Sequence, residues 1–148
     1  MSLIVGITST SIEIAISYFL KLAGLVKTPL YIFVGKLAVG QIPHTPLLES
    51  IIGITGHLIN GTVFTFIFIN IVQKWGEDYI YLKGLGFGAF LWIIHQIVIP
   101  NMIVTRIALK LQASSQIFHI IDNALWGIYT AFIYVMVKKL TAKRIPRH

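Results

Sequence analysis

The stretch IFHIIDNALWGIYTAFIYVMV, residues 117–137, decides how the chain is read. It is apolar and long enough for a membrane-crossing helix, which needs about 20 mostly apolar residues rising 1.5 Å each. Yet His119, Asp122 and Asn123 fall within five positions of one another. Hydrocarbon penalises such groups unless they face other protein or water, so their presence implies a protein interior inside the membrane.

The same length criterion, applied outward, selects three more stretches. The expected spans are about 3–26, 47–72, 80–105 and 112–137. Composition agrees. The chain has 148 residues, is 56% hydrophobic and only 11% charged, where a soluble domain carries about 25% charged residues. Its mean hydropathy is +0.82. The expectation is one integral membrane domain over 1–148, an all-α bundle of four transmembrane helices. The N-terminus MSLIVGITSTSIEIAISYFL has no basic leader and is interrupted by Glu13, so it reads as a retained span rather than a signal peptide. There is no cysteine, which excludes disulfides, thiolate metal sites and a cysteine nucleophile.

The connections set the layout. QKWGEDY (73–79) and RIALKL (106–111) are short, and short connections place successive helices antiparallel and adjacent. The first connection is longer. Within it LYIFVGKLAVG reads as a short helix in the membrane interface, with Leu30, Phe33, Val34 and Leu37 on one side and Lys36 opposite; a re-entrant segment is the less favoured alternative.

The formal charge is +7, and five of the twelve Lys and Arg lie in the tail KKLTAKRIPRH, 138–148. No basic face interleaved with aromatics is visible, which argues against nucleic acid. A basic segment beside a span instead meets anionic lipid headgroups on the cytoplasmic side. Four spans put both termini on one side with Lys74, Lys83 and the tail. Lys27, Lys36, Arg106 and Lys110 lie on the other. The bias predicts that both termini are cytoplasmic.

An internal repeat is also suggested. HLINGTVFTFIFI from His57 and NALWGIYTAFIYV from Asn123 align without gaps, and Gly6 and Gly84 open the spans before them. Two helical hairpins of this kind would form a parallel repeat.

Each span carries one stripe of small or polar residues at helical spacing. Span one has Gly6, Ser9, Thr10, Glu13, Ser17 and Gly24. Span two has Glu49, Gly53, Gly56, His57, Asn60 and Gly61. Span three has Gly84, Gly88, Trp92 and His95, with Gln96 beside them. Span four has Gln112, Ser115, Gln116, His119, Asp122, Asn123, Trp126 and Thr130. Close helix packing accounts for most of the Gly, Ser and Thr positions, and the Gly84-x-x-x-Gly88 spacing serves packing within one chain as well as between chains.

The ionisable positions ask for more. Counted inward from one side, Glu13, His57, His95, His119 and Asp122 fall at depths agreeing within ~9 Å. These five are the expected site, with Asn60, Gln96 and Asn123 orienting them through hydrogen bonds. Three chemistries suit such a layer. Imidazoles and carboxylates from several helices can hold a divalent metal such as zinc, iron or manganese. His57 with His95 or His119 can ligate haem b axially. A His–carboxylate pair can pass protons with no cofactor. The His119-x-x-Asp122 element is similar to the Glu-x-x-His of di-iron bundles, but it is single here.

Other chemistry is poorly supported. There is no Gly-x-Ser-x-Gly elbow, no His-Glu-x-x-His and no phosphate loop, so an enzyme is not favoured. His44 and His148 read as solvated. Trp75, Tyr79 and Tyr81 suit the headgroup level, while Trp92 and Trp126 lie deeper, where packing is the favoured role and Trp126 could also donate its indole hydrogen to an interior acceptor.

HLINGTVF (57–64), KGLGFGAFLW (83–92) and NALWGIYTAF (123–132) together resemble small four-helix bacterial membrane proteins of the YagU-like and YqhR-like kind. The resemblance implies a bacterial inner-membrane protein and brings no activity with it. Those proteins often carry His where this chain has Asn123. Here His119 stands one helical turn earlier.

Two functional expectations follow. The first is a buried His/carboxylate site that binds metal or haem or relays protons, alone, in a homo-oligomer or in a larger membrane complex. The second is an accessory subunit whose polar layer only fixes helix packing.

Overall fold

The computed structural model describes residues 1–40, 43, 45–98 and 113–142. Among them the chain is helical without strands: α1 Ser2–Leu22, α2 Leu30–Val39, α3 Pro46–Trp75, α4 Ile80–Ile93 running on as a π-helical turn Ile94–Val98, and α5 Ala113–Ala142. Four of these are long and apolar enough to cross a membrane: Ser2–Leu22, Pro46–Trp75, Ile80–Val98 and Ser115–Ala142. Leu3, Phe19, Ile59, Phe66, Leu82 and Ile117 are all exposed. An outer surface of that kind suits hydrocarbon rather than water. Arg106, Lys110, Gln112, His44, His148, the end of the third expected span and most of the basic tail lie outside the described residues.

Local chemistry explains the ends. Helix α1 stops at Leu22, four residues before its expected limit. Gly24 takes φ +73°, its N–H bonds Lys21 O at 3.0 Å, and Leu25 N–H bonds Leu20 O at 3.0 Å. This pair of bonds closes a helix through a left-handed glycine. Gly24, placed on the polar stripe by spacing, is therefore a cap. Helix α3 starts at Thr45, whose Oγ1 accepts from Leu48 N–H at 3.2 Å, with Pro46 in its first turn. It ends at Gly76, where Lys83 Nζ donates to Trp75 O at 3.2 Å and Gly76 O at 2.9 Å. These bonds take up carbonyls that a helix end leaves free.

Glycines set the closest helix contacts. A Cβ on Gly61 would strike the Thr10 side chain, and one on Gly6 would crowd Thr62 and Thr65, so α1 and α3 touch closely. A Cβ on Gly84 would strike the Gly127 backbone, and one on Gly88 the Asn123 backbone, which locks α4 to α5. The Gly84-x-x-x-Gly88 spacing is thus used inside the chain. Helices α1 and α5 also pack together, whereas α4 touches α3 only lightly. That thin seam is filled by rings: Phe68–Phe87 at 5.4 Å and Phe64–His95 at 5.5 Å.

Helix α2 forms within the stretch expected to be a short helix, and it is buried on more than one side. Leu30, Tyr31, Ile32, Phe33, Gly35 and Val39 are buried, which covers most of its circumference. It lies antiparallel to the first half of α3, where Gly35 would clash with the Glu49 backbone and Gly53 with the Tyr31 backbone if either had a Cβ. The physical reason is the absence of those two side chains, which lets two backbones meet. The chain before α2 folds back far enough for Thr28 O to reach His119.

The molecule has two unlike ends. Near the 76–79 turn Val5, Phe68, Ile69, Val72, Ile80, Ala131, Ile133 and Tyr134 form a dry core. Toward the other end the interior is polar, with Glu13, Ser17, His57, His95, His119, Asp122 and Asn123 all buried.

Candidate functional site

All five expected residues are buried in the interior, and among them Glu13 and His57 bond directly to each other. Glu13 on α1 is 2% exposed and His57 on α3 is 4% exposed. Glu13 Oε2 and His57 Nε2 are 2.8 Å apart. With Glu13 ionised, the Nε2–H of His57 donates. Its Nδ1 is buried and has no hydrogen-bond partner among the described residues. Asp122 on α5 accepts from Ser17 Oγ at 2.6 Å and lies within electrostatic reach of both Glu13 and His57. Glu13, His57 and Asp122 therefore form one charge-coupled trio.

His95 sits across from the trio, in the π-helical turn. Such turns widen a helix locally and recur at functional sites. The two successive side chains there address different helices. His95 Nε2 accepts from Asn60 Nδ2 of α3 at 2.8 Å, while Gln96 Nε2 donates to His119 Nδ1 of α5 at 2.9 Å. His95 Nδ1 is buried without a well-formed hydrogen bond. His119 donates its Nε2–H to Thr28 O at 2.8 Å, so both its ring nitrogens are engaged and the ring is neutral. Asn123 Nδ2 bonds back to His119 O at 2.8 Å, and Trp126 Nε1 donates to Thr10 Oγ1 at 3.1 Å.

A cavity of about 10 Å³ lies between the two groups, bordered by Glu13, His57, Asn60, His95 and Asn123. That volume accepts about one water molecule, and the walls supply the polar partners a buried water needs. It leaves no room for a porphyrin between His57 and His95. Among the described residues no three His, Asp or Glu are grouped so as to hold a metal ion. The layer is built to bond to itself.

Two participants escaped the sequence reading. Ser17, one turn beyond Glu13, was visible on the stripe but not as the partner of Asp122. Thr28 acts through its backbone carbonyl, which no residue pattern signals.

No protein-family model, curated protein or solved structure matches the chain. The geometry has to carry the functional reading.

Proposed function

We propose that the chain is an integral membrane protein whose Glu13–His57–Asp122 trio takes up and releases protons inside the bilayer. The Glu13–His57 contact of 2.8 Å carries this reading, because that imidazole borders a water-sized cavity and its other nitrogen is buried without a partner among the described residues. An imidazole held by a carboxylate on one nitrogen can exchange a proton through the other. Charge balance supports the same view. Two carboxylates and a neutral imidazole carry two negative charges, and burying net charge in the membrane is costly. The trio approaches neutrality only by binding protons, so changes in its surroundings are felt as proton uptake or release. Asn60 and His95 border the same cavity and continue the path toward Gln96 and His119.

The finer layout belongs to this proposal. The basic bias places both termini in the cytoplasm of a bacterial inner membrane, in keeping with the YagU-like and YqhR-like resemblance. Equivalent close contacts, Gly61 with Thr10 and Gly127 with Gly88, support reading α1–α3 and α4–α5 as repeated hairpins. Assembly into a homo-oligomer or larger complex is compatible with the wide apolar exterior.

The test is proton entry into proteoliposomes loaded with a pH-sensitive dye and driven by a valinomycin-clamped potassium gradient. The native chain should acidify the lumen faster than empty vesicles, and Glu13→Gln should return the rate to background. Equal rates for both proteins would favour the accessory-subunit reading, which the fully bonded His119 supports. Under that reading Glu13→Gln changes thermal stability alone.

A further inference from the structure

The thin α3–α4 seam opens into a second, larger cavity. It measures about 240 Å³ and runs along α2, lined by Leu30, Phe33, Val34, Leu37 and Ala38. These positions form one helical face about 12 Å long from residue 30 to residue 38. One end stops on Asn60 and His95, the same two residues that border the water-sized cavity. An apolar trough with a few convergent polar groups at one end is the usual form of a small-molecule site.

Four observations define what fits. The trough lies on a protein with an apolar exterior, so a molecule dissolved in the membrane reaches it most readily. Its volume is below the ~300 Å³ at which drug-sized pockets begin, so the apolar part of the guest is slender. Among the described residues no Lys or Arg lines it, and Glu13 stands behind the polar end, so these walls offer an anionic group no countercharge. At that end Asn60 is half-buried, with its Nδ2 held by His95 Nε2 at 2.8 Å. Its carboxamide offers both a donor and an acceptor.

We propose that this cavity binds a membrane-dissolved amphiphile with one slender apolar tail and one small uncharged hydrogen-bonding end, an alcohol or a carbonyl. The tail lies along α2 and the polar end meets the carboxamide of Asn60, which His95 holds in place. This site does not depend on the proton-relay reading, although it brings the guest's polar end within one water of the Glu13–His57 pair.

The full chain in phosphatidylcholine nanodiscs is photolabelled with a straight-chain alcohol about as long as the trough, carrying a diazirine in its tail. Adducts should concentrate between Leu30 and Ala38. Unlabelled alcohol should compete, and an alkane of equal length should not. Leu37→Trp, or Ala38→Trp at the exposed rim, should lower labelling to the level of lipid-facing side chains while the folded protein persists. His95→Leu should keep some labelling but lose the preference for alcohol over alkane. Glu13→Gln should label normally even where it stops proton movement, so the two readings fail separately. Adducts spread over Leu3, Ile59 and Phe132 and indifferent to Leu37→Trp would overturn the proposal. So would an absence of adducts on α2, as when other atoms of this chain fill the trough.

Discussion

The two ends of the bundle are held by different physics. At the end near the 76–79 turn, Phe68, Val72 and Tyr134 pack with almost no exposure, and stability there comes from close apolar contact. At the other end Glu13, His57, His95, His119 and Asp122 take the same central positions and are held by directed bonds between helices. Packing at the first end tolerates no gap. Bonds at the second end can be exchanged, because membrane hydrogen bonds are individually weak. One end serves as an anchor, and the other is free to carry chemistry.

The sharpest way to break this comparison is to remove bulk from the dry end. Phe68→Ala should cost about 4 kcal/mol, as large-to-small core changes do, read from unfolding in detergent. Next comes the helix contact between the two ends. Gly84→Leu drives a side chain into the Gly127 backbone and should cost about 3 kcal/mol by overpacking. Gly86, which faces open space, should accept Leu with little change and so serves as the control. In the polar half, His119→Leu removes the bonds to Gln96 and Thr28 and should cost only ~1–2 kcal/mol. A loss as large as that of Phe68→Ala would show that the polar layer is structural cement, and the contrast would collapse.

The smallest effect is expected at an exposed ion pair beside the 76–79 turn. Glu77 accepts hydrogen bonds from Lys138 and, at 2.9 Å, from Tyr134. Those donors, Lys138 first, hold its carboxyl below the ordinary value of 4.5. A carboxylate lowered in this way stabilises the fold fully above pH 4.5 and loses that contribution as pH falls through its folded value. The thermal midpoint of the native chain should therefore fall more than that of Glu77→Gln on acidification below that point. The difference should shrink at high salt, because both partners are solvent-exposed. A midpoint difference that ignores pH would separate Glu77 from this pairing.

Much of the fold was legible in sequence because a bilayer imposes simple rules. Length and hydropathy at 3–26, 47–72 and 112–137 mark helices whatever their neighbours do, since a chain in hydrocarbon must satisfy its own backbone. The 3.6-residue period then put Glu13, His57, His95, His119 and Asp122 on inward faces, because the alternative was to expose them to lipid. The tertiary structure decided what periodicity does not encode. Glu13 pairs with His57, Asp122 with Ser17, and His119 with the carbonyl of Thr28, all through distances between helices that are remote in sequence. Helix α2 is buried against α3 because Gly35 and Gly53 let two backbones touch. The π-helical turn sent His95 and Gln96 to different helices. Burial depends on the solvent and on each helix alone, so one sequence determines it. Partnership depends on where separate helices come to rest, and that is settled only when glycine contacts bring them together.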